Sequence, residues 1–119
     1  MLSTFLACWM GVALAAAPVS LQTADGHQIK ANATIISGST RGVVMAHMLG
    51  RDATDWASLA KRLESTQLAS VAVDLRGHGA SATSAPATEP VDHAAMVEDL
   101  KAAVNYLRAR GVTEVSCVG

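Results

Sequence analysis

The residues with chemical potential fall in two short stretches, His47-Met48-Leu49-Gly50 and Asp74-Leu75-Arg76-Gly77-His78-Gly79-Ala80-Ser81. The second holds a serine, a histidine and an aspartate, which are the side chains of a nucleophile, a general base and the acid that orients it. Neighbours on one short loop rarely converge as such a relay requires, so Asp74, His78 and Ser81 read as shaping the loop. The two glycines let the chain reverse tightly, and Asp74 and Arg76 can hold the reversal by a charge-assisted bond. His27 falls in a hairpin and His93 at a helix start. Both read as surface residues, and no pair of histidines has the spacing of metal ligands. Cys117 lies in an apolar run with no base placed beside it, so it reads as a small hydrophobe rather than a catalytic thiol.

The elements that must position these residues follow from periodicity. Residues 19–23 alternate as a half-exposed strand, Asp25-Gly26 is a hairpin turn signal, and residues 27–36 continue as a second strand. Residues 37–42 are a polar loop. Val43-Val44-Met45-Ala46 is a continuous apolar run, the mark of a strand buried on both faces, and His47 follows at its carboxyl end. Trp56, Leu59, Ala60 and Leu63 recur at helical spacing and predict an amphipathic helix over 55–65, capped by Thr54 or Asp55. Val71-Ala72-Val73 is a second buried strand, ending at Asp74, and 75–90 is a loop rich in small and turn-forming residues. Met96, Val97, Leu100, Ala103, Val104 and Leu107 form a long apolar stripe. Glu98, Asp99, Lys101, Arg108 and Arg110 are expected mostly to face water, with Asp92 as cap and Gly111 closing the helix. Residues 112–118 form the last strand. The order is a β-hairpin followed by β-α-β-α-β. Right-handed crossovers then predict helices on both faces of a largely parallel sheet, a three-layer α/β domain.

With these elements in place, the chain resembles the N-terminal half of an α/β-hydrolase. The most specific match is Asp74-x-Arg76-Gly77-x-Gly79-x-Ser81, which repeats the D-x-R-G-x-G-x-S stretch after the fourth strand of many members. The resemblance implies a site-shaping role for Asp74, Arg76, Gly77, His78 and Gly79, and for His47 and Gly50 in the other stretch. In that family the loop after the third strand usually begins His-Gly, and the next residue offers its backbone N–H to a carbonyl oxygen as it becomes negative. Carried over by position, that donor is Leu49, with Met48 as the alternative because Met48 stands where a glycine is usual. The catalytic histidine of the family lies far downstream, which leaves His47 as a hydrogen-bonded turn residue. The resemblance also places the G-x-S-x-G nucleophile elbow directly after the last strand, with Gly119 as its first glycine. The serine nucleophile, the acid and the base would then lie beyond residue 119, and the chain alone would be inactive. The implied reaction is hydrolysis of an ester, thioester or peptide-like acyl bond, as in esterases, lipases and serine aminopeptidases, without a cofactor or a metal.

Composition narrows the partners. The chain has 119 residues, half of them hydrophobic, with 9 basic and 10 acidic side chains and a net charge of −1. There is no basic stripe for phosphates and no row of aromatics for bases, so nucleic acid is not an expected partner; a small-molecule acyl substrate is. Met1 to Ala17 carries no charge and ends in small residues, and Ala13-Leu14-Ala15 fits a signal-peptidase site. We therefore expect residues 1–15 (or as far as 17) to be a signal peptide and 16–119 to be the N-terminal portion of one hydrolase domain. The protein would be secreted or periplasmic, touching the membrane only during export, with an uncleaved anchor as the alternative. Two other readings remain. A non-catalytic binding module or gene fragment on the same fold is compatible with these residues. A dinucleotide-binding Rossmann unit is the weaker one, since the turn after the first buried strand holds Gly50 alone where three glycines are needed.

Overall fold

The computed structural model describes residues 16–82 and 93–119. The expected signal segment, the loop residues 83–90 and the Asp92 cap lie outside the described residues. Five strands form one sheet: β1 (Ala17–Gln22), β2 (Gln28–Thr34), β3 (Arg41–Ala46), β4 (Ala69–Val73) and β5 (Glu114–Val118). Their spatial order is β1-β2-β4-β3-β5. β1 and β2 form the antiparallel hairpin, turned at Gly26 with φ +91°, a conformation that costs glycine nothing. β2 runs antiparallel to β4, while β3 lies parallel to both β4 and β5. The sheet is therefore mixed at its hairpin end and parallel elsewhere, as the hairpin-then-β-α-β-α-β pattern requires.

Two helices cover opposite faces. α1 (Ala57–Ser65) packs Leu59, Ala60 and Leu63, with Trp56 just before it, on Met45, Ala53 and Ala72. α2 (Met96–Arg108) packs Met96, Ala103 and Leu107 on Ile29, Val44, Val71 and Val73. Alternation along β3 and β4 sends neighbouring residues to opposite faces, which is how one run such as Val43-Val44-Met45 serves both layers. Full burial of a side chain such as Ile29 or Leu107 is worth about 1.5–3 kcal/mol. The strand β4 is buried along its whole length, so it is the spine on which the site residues hang. Among the described residues no helix is long and apolar enough to cross a membrane.

Several sequence expectations need correction. The first helical segment begins as a 3-10 turn over Ala53–Trp56, and its cap is Asp52, whose carboxylate accepts the Thr54 N–H at 2.9 Å; Thr54 and Asp55 are not caps. Asp99 does not face water but is fully buried, whereas Val97 is about half exposed. The stripe buried by α2 is Met96, Asp99, Ala102, Ala103 and Leu107. Cys117 is exposed, because β5 is the sheet edge and most of its residues are uncovered among the described residues. Gly111 does close α2, at φ +88°, with the Val112 N–H donating back to the Leu107 carbonyl at 3.1 Å.

Candidate functional site

The exits of β3 and β4 lie side by side at the carboxyl edge of the parallel part of the sheet, where open α/β sheets place their ligands. The β3 exit is His47-Met48-Leu49-Gly50. A turn closes it, with the Arg51 N–H donating to the Met48 carbonyl at 3.0 Å, and Gly50 supplies the positive φ of +82° that the turn needs. Met48 and Leu49 are 77% and 56% exposed. The amides of Met48, Leu49 and Gly50 find no acceptor among the described residues. Unsatisfied N–H groups at a sheet edge are what a developing oxyanion requires.

His47 is buried, and both of its nitrogens are engaged. Its Nδ1 lies 2.7 Å from the Met48 carbonyl, and its Nε2 lies 3.1 Å from the Leu75 amide nitrogen. The carbonyl can only accept and the amide can only donate, so the ring is in the neutral Nδ1–H tautomer. The ring also packs on His78, with centroids 5.1 Å apart.

The β4 exit is held from within. The Asp74 carboxylate accepts the Ala53 N–H at 2.7 Å and the Ala80 N–H at 3.1 Å, so one buried side chain ties the turn after β3 to the glycine loop after β4. Asp74 and Arg76 do not bond each other, contrary to the expectation that a bond involving both would hold the reversal. Arg76 instead reaches the other way. It is 4% exposed, and its Nε and Nη2 donate to Asp99 Oδ1 at 3.0 and 2.8 Å. Its Nη1 donates to Asp25 Oδ2 at 2.7 Å. Its backbone N–H donates to Asp99 Oδ2 at 2.9 Å, so Asp99 receives both main chain and side chain of one residue. The guanidinium holds the Asp25 carboxyl far below the usual carboxylate range, helped by the Thr23 hydroxyl. The two carboxylates in turn push the guanidinium pKa up.

Asp74, His78 and Ser81 are all engaged elsewhere rather than with one another. The Ser81 Oγ is buried and accepts the Lys30 N–H of β2 at 2.8 Å, while His78 Nδ1 donates to the Arg76 carbonyl at 3.1 Å. Gly79 has φ +49°, and a Cβ built on it would sit 2.5 Å from Asp74 Oδ1. Gly79→Ala should therefore combine backbone strain with a clash against an anchored carboxylate. We expect a loss of about 1–3 kcal/mol, read as a lower urea midpoint; an unchanged midpoint would show that the loop relaxes freely. His27 stands 3.5 Å from Asp25 at the rim of the Arg76 network. Among the described residues no group of three or more His, Cys, Asp or Glu side chains could hold a metal ion.

Sequence reasoning missed Asp25 and Asp99. A signal for Asp99 was present, since Met96, Asp99, Ala103 and Leu107 are spaced three, four and four residues apart, placing an acid in line with the apolar face. Asp25 carried no such signal, because its partner lies 51 residues away. Two grooves among the described residues open elsewhere. One of about 570 Å³ lies between α1 and the sheet, lined by Asn32, Thr34, Trp56 and Ala60, and one of about 480 Å³ lies between α2 and β5.

No protein-family model matches the chain, and no curated protein sequence does. Solved structures do. An esterase from Exiguobacterium antarcticum is 28% identical with a TM-score of 0.68, matching 87% of this chain and 35% of its own. An esterase from Pyrococcus furiosus is 20% identical with a TM-score of 0.72, matching 87% of this chain and 42% of its own. An epoxide hydrolase mutant from Vigna radiata is 22% identical with a TM-score of 0.62, matching 86% of this chain and 30% of its own. The chain thus spans between 30% and 42% of the length of these structures. Strand order, the two helical layers and these matches give one conclusion: the chain has the fold of the N-terminal part of an α/β-hydrolase.

Proposed function

We propose that this chain supplies the oxyanion side of a serine hydrolase that cleaves ester, thioester or peptide-like acyl bonds of a small-molecule substrate. The observation that carries the reading is the β3 exit, where three adjacent amides find no acceptor among the described residues, beside a loop pinned by Asp74 and His47. The 28% identity to the Exiguobacterium esterase supports the hydrolytic class.

In the intact protein a serine beyond residue 119 attacks the acyl carbon, a histidine takes its proton, and an acid orients that histidine. The carbonyl electrons move onto oxygen, and the Leu49 N–H, with Met48 as the alternative, donates to that oxygen. Collapse of the tetrahedral species expels the leaving group, to which the histidine returns the proton, and water then hydrolyses the acyl-enzyme. Within this scheme Asp74, Arg76, Gly77 and Gly79 keep the loop in shape, and the 119-residue chain alone is inactive. No nucleic acid takes part.

A fluorophosphonate probe tests this directly. It should label a gene product extended past Gly119 and leave the 119-residue chain unlabelled above a heat-denatured control. Specific labelling of Ser81 would overturn the roles assigned here. The same protein is proposed to be secreted or periplasmic after removal of residues 1–15. N-terminal sequencing of exported material should then begin near Ala16, and an intact Met1 in cytosolic material would refute export.

A further inference from the structure

The pinning of the β3-exit loop by buried His47 depends on which ring nitrogen carries the proton. The His47 ring spans two loops. Through Nδ1–H it holds the Met48 carbonyl, and through Nε2 it accepts the amide of Leu75, the residue that follows Asp74. The peptide unit whose carbonyl is Met48's also contains the Leu49 N–H. Fixing that carbonyl therefore fixes the direction of the proposed donor, because the peptide group is planar.

We infer that His47 is a positioning residue that acts only as the neutral Nδ1–H imidazole, a proton-sensitive clamp between the Met48–Leu49 peptide and the β4 exit. An imidazolium has two donors and no acceptor. Protonation would therefore set the ring N–H against the Leu75 N–H, and a buried amide would lose its acceptor. The clamp is present while the ring is neutral and is lost as the pH falls and the ring takes a proton.

The groups facing the ring set the terms of that change. On the segment after β3, Asp52 and Asp55 are the carboxylates within electrostatic reach of the ring. From the β4 exit, Asp74 is occupied by the Ala53 and Ala80 amides, and the His78 ring packs on His47 in a tilted arrangement with centroids 5.1 Å apart. Arg76, next in the chain after Leu75, is compensated by Asp25 and Asp99. A ring with both nitrogens bound to main chain is not free to act as a general base.

The consequence for turnover rests on the hydrolase reading, but the clamp itself can be tested on the 119-residue chain without an activity assay. Nitrogen-15 correlation spectra of the histidine side chains should show Nδ1 protonated and Nε2 unprotonated for His47 near neutral pH. Hydrogen exchange of the Leu75 amide, expressed as a protection factor, should fall about tenfold between about pH 8 and about pH 5. In His47→Gln, whose amide cannot titrate, that pH dependence should vanish. An Nε2–H tautomer, or Leu75 protection that stays level across this range in the parent chain, overturns the inference. If His47→Gln fails to fold, the tautomer and protection of the parent chain still decide it. A clamp confirmed in a protein whose extended form hydrolyses nothing would sink the hydrolase reading and leave the clamp standing.

Discussion

Replacing Asp99 with alanine should cost the fold about 3–5 kcal/mol, because it strands a buried charge. The Arg76 guanidinium is nearly sealed from solvent and cannot shed its proton. Three of its donors, counting its own backbone N–H, end on Asp99. After the substitution Asp25 is the one carboxylate left on Arg76 among the described residues, and that side chain is 35% exposed. A domain of this kind has a total stability of about 5–15 kcal/mol, so the variant should sit near its unfolding threshold in mild urea. Asp25→Ala should cost clearly less, since water can approach the vacated side. The Asp25 contribution also has a pH signature. Its folded-state value is depressed, so its stabilisation is fully present above the ordinary carboxylate value of about 4 and fades as the pH falls below it. Asp25→Asn should flatten the acid limb of the stability profile. An Asp99→Ala chain with the parental urea midpoint would show that the ion network is dispensable.

The second large effect concerns the proposed oxyanion donor in an enzyme extended beyond Gly119. Deleting one such donor lowers kcat by about 10²–10³. Leu49→Ala keeps the N–H, and because the side chain is more than half exposed it should cost much less. An amide-to-ester replacement at Leu49 removes the donor with little change of shape, so a loss of about two orders of magnitude in kcat is expected with KM nearly unchanged. If that ester variant folds and turns over at the parental rate, the donor is elsewhere, and the Met48 amide becomes the one to delete.

The strands and the layer order were legible because their signals are local. Val43 to Ala46 and Val71 to Val73 are apolar on both faces, and only strands flanked by helices on both sides tolerate that. The glycine-rich stretch after Asp74 was legible because its pattern is specific. The connections inside that stretch were not. The Asp74 carboxylate ends on the amides of Ala53 and Ala80, and a backbone N–H leaves no mark in a sequence. Arg76 could be seen to need a carboxylate, but Asp74 was the nearest in sequence and the partners came from a hairpin turn and a helix. Asp99 was misread because charged residues on amphipathic helices usually face water, and tertiary pairing overrode that rule here. Met48 marks the remaining gap. The β3-exit turn accepts a side chain at Met48, where the resemblance led to the expectation of glycine, since the positive φ falls at Gly50 instead.

The strand order β1-β2-β4-β3-β5 also constrains how the chain can be made. β2 ends at Thr34, yet its neighbour on the inner side, β4, begins at Ala69, roughly 35 residues later. During synthesis at about 5–20 residues per second, the hairpin must therefore wait roughly 2–7 s with one edge bare. The next strand to emerge, β3, is the wrong partner and must be refused. A nascent chain with such a delay is exposed to strand mispairing, and holdase chaperones would find their substrate in that interval. Synonymous codon changes that slow translation between residues 35 and 68 would lengthen it.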